Sequence, residues 1–129
     1  MTGPKRSLQQ QRGDAAESAA LAVLEQAGLQ LLARNARYTV GELDLIVLDG
    51  DTLVFVEVRQ RKSEAFGGAA ASLDARKQRK CALAAQCWLR QHPRYAALPC
   101  RFDAVLFSGV APNWQFQWLK NAFQFQDVF

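Results

Sequence analysis

Three carboxylates interrupt a stretch that otherwise reads as core. In GELDLIVLDGDTLVFVEVRQR, residues 41–61, Glu42, Asp44 and Glu57 stand among aliphatic residues, and Arg59 follows Glu57 by two positions. Side chains alternate across a strand. Glu57 and Arg59 therefore share a face with Phe55, opposite Val54, Val56 and Val58, while Glu42 and Asp44 share a face opposite Leu43 and Leu45. Asp49-Gly50 is a hairpin turn signal between the two runs. A two-residue turn there pairs Leu48 with Asp51 and leaves Glu57 one diagonal step from Asp44; a four-residue turn sets the two acids opposite each other. A three-residue turn separates them onto different faces and dissolves the pair. Close carboxylates repel, and burying them is costly unless a cation or donors compensate. A hard divalent ion does so: magnesium takes oxygen ligands, often one or two carboxylates with waters and a substrate phosphate. The competing reading is ion pairing with Arg59, Arg61 or Lys62 at a strand edge.

Two helical patterns flank this hairpin. In the first, Ala20, Val23, Leu24 and Ala27 form an apolar stripe with Glu17 on its edge. Glu17 could be a further metal ligand, or an acid favoured near a helix N-terminus. In the second, Leu73, Cys81, Ala84 and Trp88 make the stripe; Lys77 lies on the same line, while Arg76 and Arg79 point away. Lys77 could reach back toward the sheet and a bound phosphate, or pack its stem and leave its head in water.

The elements that must position these groups follow from turn and cap signals. Residues 1–13 read as a flexible basic, Gln-rich leader, and residues 14–129 as one domain. Asp14 can cap a helix running to Ala27, with Gly28 as its stop. Leu29–Arg37, Glu42–Leu48 and Leu53–Arg59 are strands, Ser63–Ala71 a small-residue loop, Leu73–Gln91 a helix ended by His92-Pro93, and Cys100–Phe107 and Trp114–Leu119 two more strands. The order is α-β-β-β-α-β-β, a mixed α/β domain. At 129 residues, 50% hydrophobic and 22% charged, the chain has a globular composition. It lacks the apolar length of a membrane span and the apolar core of a signal peptide, which points to the cytoplasm. Three cysteines and one histidine without C-x-x-C do not make a zinc site, and the cysteines read as small reduced residues in or near the core.

The excess of 16 Lys and Arg over 12 Asp and Glu, a net +4, fits a polyanion partner. Arg34 and Arg37 end the first strand, Arg61 and Lys62 follow the third, and Arg76, Arg79 and Lys80 lie on the second helix. Around the acids they would form a phosphate-binding rim of salt-dependent affinity; singly, each is an ordinary solvated charge. Gly67–Ala71 could allow a close backbone approach, although no P-loop lysine follows. Trp114, Phe116 and Trp118 alternate as the buried face of an edge strand, with stacking on unpaired bases or a homodimer contact as the other uses.

GELDLI at 41–46, FVEVRQR at 55–61, GGAAAS at 67–72, the Lys77–Leu89 helix and RFD at 101–103 together resemble the YraN family of small bacterial proteins, from Gly13 to Phe123. That family is similar to the restriction-endonuclease-like (PD-(D/E)XK) superfamily, and the element order above matches its core. The resemblance implies that Asp44 is the signature aspartate, Glu57 the second acid and Glu17 the first-helix glutamate, together holding magnesium or manganese for hydrolysis of DNA phosphodiesters. Relatives of this pattern include Holliday junction resolvases, so branched DNA, or RNA, is an implied substrate. Arg59 stands where the signature has lysine; it keeps the charge but cannot act as a base. It could clamp phosphate, with Lys77 assisting from the second helix. A nucleic-acid-binding or protein-interaction module that keeps the nuclease fold without cutting is the alternative.

Overall fold

The structure is a computed structural model and describes residues 8–61, 74–109 and 112–125, with the side chains of residues 8–12 and 61 excepted. The expected loop over Ser63–Ala71, Lys62, Leu73 and the last four residues lie outside the described residues.

Helix α1 spans Leu8–Gln26. It starts six residues before the expected cap, so Asp14 lies inside it and residues 8–13 of the expected leader are helical. Gln and Arg are good helix formers, and they carry the helix back past Asp14. The buried stripe is Ala16, Ala20 and Leu24, a strict i, i+4, i+8 row; Val23 is only half-buried and Ala27, beyond the helix end, is exposed. Gly28, at φ 93°, donates its N–H to the Glu25 carbonyl at 2.9 Å, and Leu29 returns to the Leu24 carbonyl at 3.1 Å. This left-handed C-terminal stop drops Leu29 into the core and starts the sheet.

Strands β1 (Gln30–Tyr38), β2 (Gly41–Asp49), β3 (Thr52–Arg61), β4 (Cys100–Ser108) and β5 (Gln115–Phe123) pair in sequence order. All neighbours are antiparallel except β3 and β4, which are parallel. A parallel pair needs a crossover, and that connection carries α2, Ala75–Gln91. Asp74, with its side chain accepting from the Lys77 N–H at 2.9 Å, is the N-cap, so the helix begins two residues after the expected Leu73. The two helices cover opposite faces. On one, Ala16, Ala20 and Leu24 pack with Leu45, Val47, Val54, Val56 and Val58. On the other, Cys81, Ala82, Ala84, Ala85 and Trp88 pack with Ile46, Leu53, Phe55 and Phe102. The alanines let α2 lie close to the sheet. The α/β architecture, the element order and the mixed sheet flanked by two helices are those expected.

The β2–β3 turn differs in detail. Asp49 pairs with Thr52 and Leu48 with Leu53, so the two turn residues are Gly50, at φ 60°, and Asp51. This closes the hairpin one residue later than Asp49-Gly50 and yields the register of the four-residue alternative. Leu43 also departs from plain alternation, joining Ile46 on the α2 face rather than Leu45. Its neighbour Asp44 lies level with Asn35 of β1, whose φ of 56° breaks the regular pleat there.

Of the aromatic stripe, Trp114 and Trp118 are half-buried against the α1-side core, while Phe116 is 54% exposed. The three cysteines are free thiols. Among the described residues no helix is long and apolar enough to cross a membrane.

Candidate active site

The β2–β3 ladder runs from the turn to the Leu45–Val56 pair and stops. One step further, the register sets Asp44 opposite Glu57. There a side chain replaces the backbone partner: Asp44 Oδ2 accepts from the Val58 N–H at 2.8 Å. Beyond Leu45, β2 stays with β1 as far as Gly41, while β3 follows β4 to Arg61. The sheet opens between two strands that each keep another partner, and the carboxylates sit where it opens.

Glu57 is 4% exposed and bonded through Oε2 to Arg59 Nη2 at 2.7 Å. Burial, and then the Asp44 charge, push its carboxyl up to about 8, against the opposing pull of Arg59, Lys77 and a hydrogen bond from the Cys81 thiol. Burial likewise raises Asp44, with the Val58 N–H and Arg59 offsetting part of the rise. Cys81 is pushed up in turn by burial and by Glu57. The Arg59 Nε is buried with no hydrogen-bond partner. These groups open onto a pocket of about 220 Å³ lined also by Tyr38, Thr39, Val40, Gly41, Glu42, Lys77 and Lys80.

A divalent cation fits this donor set. Two hard carboxylates face each other, both hold their protons too tightly for ordinary acids, and one guanidinium is the only short-range cation bonded to either among the described residues. One further positive charge in the pocket would relieve both. The pocket has room for several waters beside it, each taking about 30 Å³ in the liquid.

Glu17 is not on the pocket wall. It lies on α1, 3.6 Å from Arg34 Nε, with its Oε1 buried and without a hydrogen bond. Burial and the Asp44 charge raise its carboxyl, so it senses the site without lining it. Among the described residues no group of three or more His, Cys, Asp or Glu is disposed to hold a metal ion, so the expected Asp44–Glu57–Glu17 set reduces to the Asp44–Glu57 pair.

Lys77 lines the pocket, as its line on the helix required, and so does Lys80, one of the cations expected to rim the acids. The glycine at position 41 explains the second case. A Cβ there would overlap the Lys80 carbonyl oxygen, so only glycine lets β2 press against α2 and turn that part of the helix into a wall. Arg34 is tied to α1 through the Ser18 hydroxyl at 2.8 Å and the Asp14 carbonyl at 3.3 Å. It therefore serves the α1–β1 contact. Arg37 faces Glu42 at 3.6 Å on the surface. Arg76 and Arg79 are exposed on α2, away from the pocket lining. The Arg61 side chain and Lys62 are outside the described residues. Sequence reasoning missed the Cys81 bond to Glu57 and the Tyr38–Gly41 wall; the signal for the first was Cys81 following Lys77 by one helical turn.

The chain matches the family model described as "Uncharacterised protein family UPF0102" over residues 16–107. It is similar to a UPF0102 protein of Xanthomonas campestris pv. campestris (strain B100), 58% identical over 118 residues, 92% of this chain and 95% of the relative. A UPF0102 protein of Pseudomonas entomophila (strain L48) is 55% identical over 113 residues, 87% and 92% of the two chains.

Proposed function

This chain belongs to the uncharacterised protein family UPF0102, the YraN family its motifs resemble, and we propose that it is a metal-dependent endonuclease acting on DNA phosphodiesters. The observation that carries the reading is the pairing of half-buried Asp44 with buried Glu57 at a pocket whose other walls hold Arg59, Lys77 and Lys80. Carboxylates and cations around one opening suit a phosphodiester, whose charge must be neutralised as phosphorus is attacked. Asp44 and Glu57 would hold magnesium or manganese, which when bound supplies Lewis-acid stabilisation and a more acidic water. Arg59 and Lys80 bind phosphate oxygens and orient the strand. Lys77, on the same wall, would pass a proton to a leaving oxygen, a role arginine cannot take because it does not release its protons. The Val58 N–H fixes one oxygen of Asp44 and leaves the other for the metal.

The 2.7 Å Arg59–Glu57 pair favours a second reading. An internal cation already compensates one acid, as in a nucleic-acid-binding module that keeps the fold without cutting. Incubation with an end-labelled four-way junction and a matched linear duplex, in magnesium, manganese or chelator, separates the two. The endonuclease nicks the junction only with metal and loses this in Asp44→Ala. A shifted but intact junction in every lane sinks the catalytic reading and leaves the binding one.

A further inference from the structure

Among the described residues two large hydrophobic side chains stand exposed: Phe116 at 54% and Val40 at 43%. Phe116 lies on β5 and meets the Phe107 ring at a centroid distance of 6.1 Å. Val40 has a different setting. It is on the two-residue link between β1 and β2, where a polar residue is the common choice, and it lines the same pocket as Asp44, Glu57 and the three cations. Tyr38 stands beside it, its hydroxyl donating to Gln91 Oε1 at 2.9 Å, which anchors the ring to α2. Thr39 adds an exposed hydroxyl. One wall of a charged pocket is thus apolar and aromatic.

The floor of the pocket sets what can reach it. Glu57 is 4% exposed, and a cavity of about 220 Å³ admits a phosphate and part of a sugar, not a double helix. A strand reacting at the acids must bend inward, which carries the adjoining nucleoside against the rim. In a continuous duplex this requires unstacking and unpairing, at a cost of a few kcal/mol; an unpaired nucleotide is spared that cost. The rim offers that nucleoside an apolar surface with a hydroxyl next to it, while Lys80 holds the phosphate.

Resting on the nucleic-acid reading above, we infer that Tyr38, Thr39 and Val40 form a nucleoside subsite, and that the substrate class is a strand with an unpaired nucleotide next to the reacting phosphate. Continuous duplex is the disfavoured substrate.

The test uses the full chain with Asp44→Asn, to prevent cutting, in magnesium. The probes are a short duplex and the same duplex with one bulged 2-aminopurine, compared by anisotropy and by 2-aminopurine fluorescence. Stacking of one base corresponds to about tenfold in affinity. The bulged probe is expected to bind about tenfold tighter and to change its fluorescence on binding. Adding the neutral Val40→Asn should abolish both effects and leave duplex affinity within about twofold, whereas Val40→Met should retain them. Equal affinity for the two probes, or a preference that survives Val40→Asn, overturns the subsite and leaves the nucleic-acid reading standing. Binding of neither probe overturns both.

Discussion

At Glu57 the fold sets burial against charge, and the balance has a measurable sign. Its carboxyl lies near 8 in the folded chain against an ordinary 4.5. Between those values the folded state keeps a proton that the unfolded state has lost, so raising the pH through this window costs stability; above about 8 the penalty is complete and constant. Urea denaturation in chelator should therefore show stability falling from pH 5 to 8 and then levelling. Glu57→Gln should flatten the profile and be the more stable form at pH 8.5 by roughly 2 kcal/mol, less than the full shift implies because Arg59 loses its partner. A wild-type profile that stays flat over this range would mean that Arg59 keeps Glu57 ionised. Asp44, Glu57 and Arg59 were legible in the sequence because strand alternation and a short hairpin leave few registers. Glu17 was not separable in the same way. Its wheel position looks inward, but whether it reaches the pocket depends on Arg34, 17 residues further along the chain, which holds it against β1.

Elements were legible wherever local chemistry decides them, and less so where packing does. Gly28 as a helix stop and the crossover helix both follow from the sequence. The start of α1 did not, because Asp14 is a good cap in isolation yet the Gln-rich turn before it continues the helix. Lys80 was expected among the cations rimming the acids and it lines the pocket; what a helix wheel alone does not supply is β2 lying against its backbone. Replacing Gly41 tests that contact. Gly41→Ala places a methyl on the Lys80 carbonyl, so α2 must move off β2, and overpacking of this kind costs about 1–3 kcal/mol. Denaturation midpoints should fall accordingly. Gly50→Ala, where a Cβ meets nothing within 4 Å but φ is 60°, should lose stability through backbone strain alone, without moving the pocket wall. Equal stability of Gly41→Ala and wild type would show that the helix yields freely.

At the scale of the whole molecule, the fully buried Asp103 ties the sheet together away from the pocket. Asp103 accepts from Arg101 Nε at 3.0 Å, from Trp118 Nε1 at 3.0 Å and from the Asn121 N–H at 2.9 Å. Arg101 also reaches Asp49 of β2 at 2.8 Å. The β4–β5 register shifts beside Asp103, and Asn121 takes a φ of 58°, so the carboxylate satisfies an irregularity in the ladder. In the sequence Asp103 looks as able to do chemistry as Asp44; its partners on β5 lie 15 and 18 residues away and no periodicity announces them. Asp103→Ala strands the Arg101 charge and the Trp118 indole, and should cost about 3–5 kcal/mol, with a changed Trp118 emission in the fraction that remains folded. A change within about 0.5 kcal/mol, the range of an ordinary surface substitution, would show that solvent replaces the network.

The Val58 amide makes the opening of the sheet visible in solution. Its proton is held by an Asp44 oxygen where a ladder would supply a carbonyl, so its nitrogen-15 and proton chemical shifts depend on the charge of that carboxylate. In nitrogen-15-labelled protein this one backbone resonance on β3 would follow the charge of Asp44, and any cation bound beside it, without turnover.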